Sequence, residues 1–264
     1  MGPALGMEYA AATRVRDSRV KIDVIFDTTC PWCFIGKRRL ESVLAQRQGV
    51  SVALRWRPFL INPDIPENDI DRRLYLDEKF GHESRAARLF DAIRHAGEHV
   101  GIPFAFERIT RIPATADSHR LIRLATRNNR QMAAVEALFT AYFLEGADIG
   151  ARDVLCRLGA GVGLDPKRVG AHLDSKAGLP AVFRASAGLH RLGIHGVPCF
   201  IFNDAYAVAG AQDTEVLLRL FDLAAQHAPV LQEAPPLSAS ASCVDPPREK
   251  RFERDVRQQA NHHS

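Results

Sequence analysis

Between the apolar run Val24-Ile25-Phe26 and a helical pattern opening at Pro31, the chain carries Cys30-Pro31-Trp32-Cys33. Two cysteines three apart become a reversible dithiol when they share the first turn of a helix, so this tetrapeptide demands a strand, a short turn and a helix start in that order. The unpaired N–H groups and the macrodipole of a helix start favour negative charge, and hence a thiolate, at the first sulfur. Cys30 is therefore expected to be an exposed nucleophile at the helix mouth. Cys33, one turn in, is expected to be the buried resolving thiol.

The flanking pattern extends this unit. Lys21 to Asp27 reads as a strand, and Pro31 to about Gln48 as a helix with Cys33, Gly36, Leu40, Val43 and Leu44 on one face and Arg38, Arg39 and Ser42 on the other. Pro31 suits the first helical turn, where a missing N–H costs little. Val52, Leu54 and Trp56 then alternate with Ser51, Ala53, Arg55 and Arg57, the period of a strand. Strand, helix and strand of this length make a βαβ unit with a right-handed crossover. The proline-rich run Pro58 to Pro66 is a connector.

From Ile70 to Gly193 the apolar spacing is helical, as in Leu89, Ile93, Ala96 and Val100, in Leu121 and Leu124, and in Val135, Leu138 and Tyr142. An irregular stretch from Gly101 to Pro113 interrupts it. Asp165-Pro166 reads as a cap followed by a first-turn proline. Strand character returns at Pro198 to Phe202. Asn203-Asp204 marks a turn, and Tyr206 to Ala209 completes a hairpin. Val216, Leu217, Leu220, Phe221 and Ala224 then define a closing helix. The dithiol in this order of elements predicts an α/β, thioredoxin-like fold with a large all-helical insertion. Its bounds are 20–69 and 194–227 for the discontinuous thioredoxin-like domain and 70–193 for the insertion. Residues 1–19 and 228–264 are expected to be a disordered arm and tail.

Composition narrows the function. A net charge of +4 with no basic stripe argues against nucleic acid. No stretch approaches a membrane span, and residues 1–19 lack the pattern of a secretory signal. A cytoplasmic location follows as the expectation, and in that compartment a close dithiol is catalytic or metal-binding. Zinc needs four ligands, and the chain has no second paired set, so no metal is expected. His262 and His263 lie at the chain end. Cys156, Cys199 and Cys243 stand alone, which excludes a stapled scaffold, and Cys156 reads as core. Arg120, Arg123 and Arg127 read as a solvated face.

Several segments together make the chain resemble the DsbA-like oxidoreductases of the FrnE type. They are Phe26-Asp27, the run from Cys30 to Arg38, Arg57 to Pro63, Ser118-His119-Arg120-Leu121, Ala141 to Ile149, Gly196-Val197-Pro198 and Gly210-Ala211-Gln212. The likeness runs in order from about residue 20 to 225. It implies thiol–disulfide exchange through Cys30 and Cys33 by way of a mixed disulfide, on protein or small-molecule thiols and disulfides. It further implies that Val197-Pro198 is cis and lies beside the dithiol, with the Val197 backbone pairing with an extended substrate. Pro31 and Trp32 shape the rim. The segment holding His119 lies near the groove, where the ring either assists proton transfer or is a partly exposed helix residue without a role. Asn62 reads as a loop residue, with contact to a peptide or glutathione backbone as the other reading.

Cys199, directly after Pro198, departs from the family pattern. It reads as a small buried apolar residue, the other reading being an alternative disulfide with Cys30 or Cys33. No cofactor is required, and glutathione is admitted as reductant or co-substrate. Two rivals stand beside the exchange enzyme. One is a glutathione-dependent isomerase or transferase, of the kind represented by 2-hydroxychromene-2-carboxylate isomerase and kappa-class glutathione transferase, in which a serine replaces the first cysteine. The other is a redox-sensing, chaperone-like binding module. The oligomeric state is left open.

Overall fold

The strand that leads into the dithiol is the most deeply buried segment of the protein, and the rest of the architecture follows from covering it. The computed structural model describes residues 19–65, 70–80 and 83–227. The arm is thus outside the described residues but for Arg19, and the expected tail lies wholly outside them. Strand β1 (Arg19–Phe26) has Val20, Ile22, Val24, Ile25 and Phe26 fully buried, which requires cover on both faces and both edges. Helix α1 (Pro31–Gln46) crosses over to β2 (Ser51–Pro58), which pairs parallel to β1 in the register Arg19↔Ser51 to Phe26↔Pro58. On the other edge β1 pairs antiparallel with β5 (Cys199–Phe202), which is joined to β6 (Tyr206–Ala209). The sheet order is therefore β2-β1-β5-β6. Asn203 and Asp204 both take positive φ, as a tight hairpin between right-twisted strands requires.

One buried pairing pins the register. Asp23 points out of β1 directly opposite Arg55, whose guanidinium donates to both carboxylate oxygens at 2.6 and 2.8 Å, and Arg57 adds a bond at 3.1 Å. Burial alone would raise the Asp23 carboxyl, but the two guanidinium groups outweigh it and hold it below the usual carboxylate range. A one-residue slip would bury this charge without a partner.

The alternation of β1 sorts the core. Val20, Ile22, Val24 and Phe26 face the main cluster with α1, whereas Ile25 joins Phe59, Leu189 and Cys199 in a second, smaller one. The closing helix, here α9 (Thr214–Gln226), packs on α1 and β1 through Leu217, Phe221 and Ala224, while Val216 lies on its exposed side.

The elements between the halves of the sheet are α2 (Arg72–Phe80), α3 (Glu83–Glu98), α4 (Ala116–Thr126), α5 (Gln131–Phe143), α6 (Arg152–Gly161), α7 (Pro166–Asp174) and α8 (Leu179–Arg191). As the spacing predicts, Asp165 caps α7 by accepting from the N–H of Lys167. Helix α5 supplies Phe139 and Phe143, which stack on Phe34 of α1 at 5.0 and 6.2 Å between ring centroids. Lys37, 2% exposed, donates to Glu41 of its own helix and to Glu136 of α5, and Arg38 adds a second bridge to Glu136. Aromatic packing and a charge cluster thus hold α5 to the helix that carries the dithiol.

Two expectations need correction here. Ile70-Asp71 is not helical but forms a short strand, β3, paired with β4 (Arg111–Ile112) inside the stretch read as irregular. The Asp71 carboxylate accepts from the N–H groups of Arg73 and Leu74, which starts α2 at Arg72 and keeps the preceding backbone extended. Arg120 is not on a solvated face. It is buried, and its guanidinium donates to the carbonyls of His172, Leu173, Ser175 and Ala177 and to Asp117. It closes the C-terminal end of α7, whose last carbonyls have no N–H of the next helical turn to accept from.

Candidate active site

The backbone at the end of β1 turns through Asp27, Thr28 and Thr29 and delivers Cys30 to the N-cap position of α1. The Cys30 N–H donates to the Asp27 carbonyl at 3.2 Å, and the Cys33 N–H to the Cys30 carbonyl at 3.0 Å. A thiol occupies the place where a hydroxyl or carboxylate ordinarily caps a helix. No side chain caps α1, no acid lies in its first turn, and Pro31 contributes no N–H. The positive end of the helix is left facing sulfur.

Both thiols are free. Cys33 is 1% exposed, as expected of a resolving cysteine. Cys30 is only 5% exposed, which corrects the expectation of an exposed nucleophile. The sequence pattern showed the helix mouth but not what lies over it. The Val197 carbonyl accepts from the Cys30 thiol at 3.6 Å, and the segment carrying it arrives from the far side of the insertion. The Val197–Pro198 peptide is cis. At Gly36, a Cβ would sit 3.2 Å from Pro198 Cγ and 3.0 Å from Phe200 Cζ, so glycine is what lets α1 approach this loop. Val197 and Pro198 therefore lie against the dithiol helix.

Burial pushes the Cys33 thiol well above its usual value, and a hydrogen bond with Cys30 and the charge of that sulfur act in the same direction; at Asp27 a backbone hydrogen bond lowers it while the carboxylate charge raises it. Asp27 belongs to a segment that carries the resemblance but was given no role in the site. It is 1% exposed, and its carboxylate accepts from Thr29 N–H at 3.1 Å, Thr29 Oγ1 at 3.2 Å, Ile61 N–H at 2.8 Å and Thr115 Oγ1 at 3.2 Å. Thr28 Oγ1 and Ser118 Oγ lie 2.7 Å apart, and Ser118 donates to the Thr115 carbonyl. One buried polar network thus fixes the turn before Cys30, the connector after β2 and the start of α4. An acid directly after an apolar strand and three residues before a cysteine is the signal that would have found it.

His119 is neither exposed nor at the rim. Its ring is 1% exposed and packs edge-on against Phe26 at 5.1 Å between centroids. Burial lowers its pKa, against the attraction of Asp27 and a backbone hydrogen bond with Phe59, and Nε2 has no hydrogen-bond partner among the described residues. Cys199 sits with Ile25, Phe59 and Leu189 in the smaller apolar cluster, apart from the cluster that holds Cys30 and Cys33. This is the surrounding of a core residue, and burial raises its thiol too. Cys156 is half-buried on α6. Among the described residues no group of three or more His, Cys, Asp or Glu side chains could hold a metal ion.

Beside Cys30 opens a cavity of about 210 Å³. Cys30, Pro31 and Trp32 form one wall, and the opposite wall comes from α2, α3 and α5. His119, Val197 and Pro198 are not among its described lining residues. Asn62 is, and its Oδ1 accepts from the Tyr75 hydroxyl at 3.1 Å, which gives the connector residue a structural partner.

A family model for the DSBA-like thioredoxin domain matches residues 21–222. The chain belongs to that family. This DSBA-like protein is 26% identical over 198 residues to the uncharacterized protein YwbO of Bacillus subtilis (strain 168), covering 75% of this chain and 93% of YwbO. A probable DsbA oxidoreductase from Streptomyces coelicolor superposes with a TM-score of 0.72 at 28% identity, over 82% of this chain and 94% of that one. The cytosolic disulfide reductase DsbM from Pseudomonas aeruginosa, solved with GSH, shares the fold at a TM-score of 0.51 and 21% identity, over 78% of this chain and 96% of its own. No helix among the described residues of the DSBA-like protein is long and apolar enough to cross a membrane.

The raised Cys33 thiol makes stability depend on redox state and pH. The unfolded thiol ionises around its usual value of 9.0, while the folded one keeps its proton to higher pH. The stability this contributes is complete below pH 9 and is lost as pH rises from there towards the folded value. Thermal melts of the reduced DSBA-like protein are therefore expected to move down between neutral pH and about pH 10 by more than those of its disulfide form. Cys199 is common to both forms, so the difference between the two series reports the dithiol.

Proposed function

We propose that the protein is a thiol–disulfide oxidoreductase working through Cys30 and Cys33 in the cytoplasm. The observation that carries this reading is a dithiol on the uncapped first turn of α1, with its outer sulfur held against the Val197 carbonyl and bordering a cavity. In the reducing direction the Cys30 thiolate attacks one sulfur of a substrate disulfide and expels the other as a thiolate. The Cys33 thiolate, formed as its proton leaves, then attacks Cys30 sulfur. This releases the second substrate thiolate and leaves the Cys30–Cys33 disulfide. Two electrons pass from the dithiol to the substrate. The oxidising direction is the same sequence reversed.

The parts of the site take distinct roles. The uncapped helix start faces the outer sulfur, and the high pKa of Cys33 keeps it protonated until the mixed disulfide has formed. Trp32 and Pro31 line the approach, and the backbone of Val197 beside Pro198 aligns the partner. His119, buried against Phe26 with Nε2 unpartnered among the described residues, supports the turn from behind. We read residues 70–193 as an insertion that walls the side of the site opposite Pro31 and Trp32.

Equilibration with glutathione redox buffers tests the assignment, with the redox state read by alkylation and mass. The expected result is a reversible two-electron couple, lost in C33S, with a midpoint that gives the direction of exchange; each 30 mV corresponds to about 1.4 kcal/mol. Saturable glutathione binding without any Cys30–Cys33 couple would overturn it in favour of a glutathione-dependent isomerase or transferase.

A further inference from the structure

The cavity beside Cys30 has a chemistry that exchange alone does not require. Its walls are mostly apolar and mix aliphatic with aromatic side chains, Phe90, Phe106, Tyr142 and Phe143 among the latter, and its described lining contains a single charged side chain, Arg72. The guanidinium carbon of Arg72 lies 4.7 Å from the centroid of the Phe90 ring. No carboxylate among the described residues pairs with it. Asp71 is engaged with the backbone of Arg73 and Leu74, and Glu107 is mostly exposed and 3.9 Å from Arg94. Burial pulls the Arg72 pKa down, against the attraction of Tyr142 and Glu107. A guanidinium fork half removed from water, with no paired carboxylate among the described residues, is a binding element for a planar oxyanion.

We propose that this cavity is the substrate subsite, and that it takes a small aromatic disulfide or thiol bearing a carboxylate, with the ring among the phenyl groups, the carboxylate on Arg72 and the sulfur at Cys30. The proposal rests on the exchange reading above and names its substrate class. Volume supports a small ligand. An apolar cavity of about 150 Å³ accepts benzene, so about 210 Å³ suits one substituted ring and is too small for a folded or extended peptide. Glutathione, with two carboxylates, an ammonium group and two amides, would leave most of these groups unpaired against the phenyl walls. With an aromatic disulfide the Cys30 thiolate forms a bond to one sulfur and expels one arenethiolate. Cys33 then displaces the second, so that the dithiol is oxidised, the substrate is reduced to two thiols, and the two cysteine protons pass to solvent or to the leaving thiolates.

The test uses the reduced full-length protein and two isosteric probes, the disulfide of para-mercaptobenzoic acid and that of para-mercaptobenzamide. Wild type is expected to react with the acid about tenfold faster than with the amide, the scale of one charge-assisted contact. R72Q is expected to lose that preference and R72K to regain part of it. The non-exchanging para-(methylthio)benzoate should raise the melting temperature of wild type more than that of R72Q. Should R72Q not fold, wild type alone decides, because the preference for the acid must shrink as salt is added. Equal rates for acid and amide in wild type, or a preference that survives in R72Q, overturn the subsite. If neither probe oxidises the wild-type dithiol, it is the exchange reading that fails, and the subsite falls with it.

Discussion

Replacement of Cys30 by serine is expected to lower disulfide exchange by at least about a thousandfold, whereas Cys33→Ser should retain the first step and stall after it. The two sulfurs are one helical turn apart and differ in what surrounds them. Cys30 borders the cavity and the Val197 carbonyl. Cys33 is enclosed, with burial and its hydrogen bond to Cys30 keeping its proton on. A serine hydroxyl neither ionises near neutral pH nor forms a bond to sulfur that exchange can reverse, and Cys33 cannot substitute because no disulfide reaches it. In C33S the mixed disulfide has no resolving thiol. After incubation with glutathione disulfide, peptide mass mapping should show glutathione on Cys30 of C33S and none on Cys33 of C30S. Full turnover by C30S would show that the chemistry lies elsewhere in the chain.

How much of this was legible in the sequence depends on how local each feature is. The helix start at Pro31, the alternation of β2 and the hairpin at Asn203-Asp204 are written in periodicity and turn residues, and the structure places them within a few residues of where the pattern does. The burial of Cys30 was not legible in local pattern: the resemblance put Val197 beside the dithiol, but nothing in the periodicity around the helix mouth shows a contact from so far along the chain. Asp27 looked like the end of a strand, although its four donors come from the turn, the connector and α4. Arg120 looked solvated because a helical arginine usually is; that it gathers the carbonyls at the end of α7 is a matter of packing between elements. Arg72 gave no signal, since a guanidinium becomes informative as a binding element only once the phenyl groups around it are known. Short-range pattern therefore located the reacting atoms, and long-range contact decided their access and their charge.

Asp27 is where those long-range contacts converge, and two substitutions there should separate its structural role from its electrical one. Asp27→Ala removes the acceptor for the N–H groups of Thr29 and Ile61 and the hydroxyls of Thr29 and Thr115. At about 1–3 kcal/mol for each buried donor left unpaired, and with water able to reach part of the turn, a loss of about 3 kcal/mol is expected in urea unfolding. Asp27→Asn keeps one carbonyl oxygen for those donors and should cost less, but it removes the negative charge. That charge helps hold the Cys33 proton in place, so Cys33 in D27N should ionise at lower pH than in wild type, though still above 9.0, because burial is the larger cause and is unchanged. The titration can be followed through the ¹³Cβ resonance of Cys33 in the reduced protein. A D27N curve that coincides with wild type would mean that the carboxylate acts only as a brace for the turn. A downward shift with the fold intact would instead make Asp27 a group that sets when the resolving thiol is released, and would place the timing of the second exchange step in a carboxylate outside the reacting sulfurs.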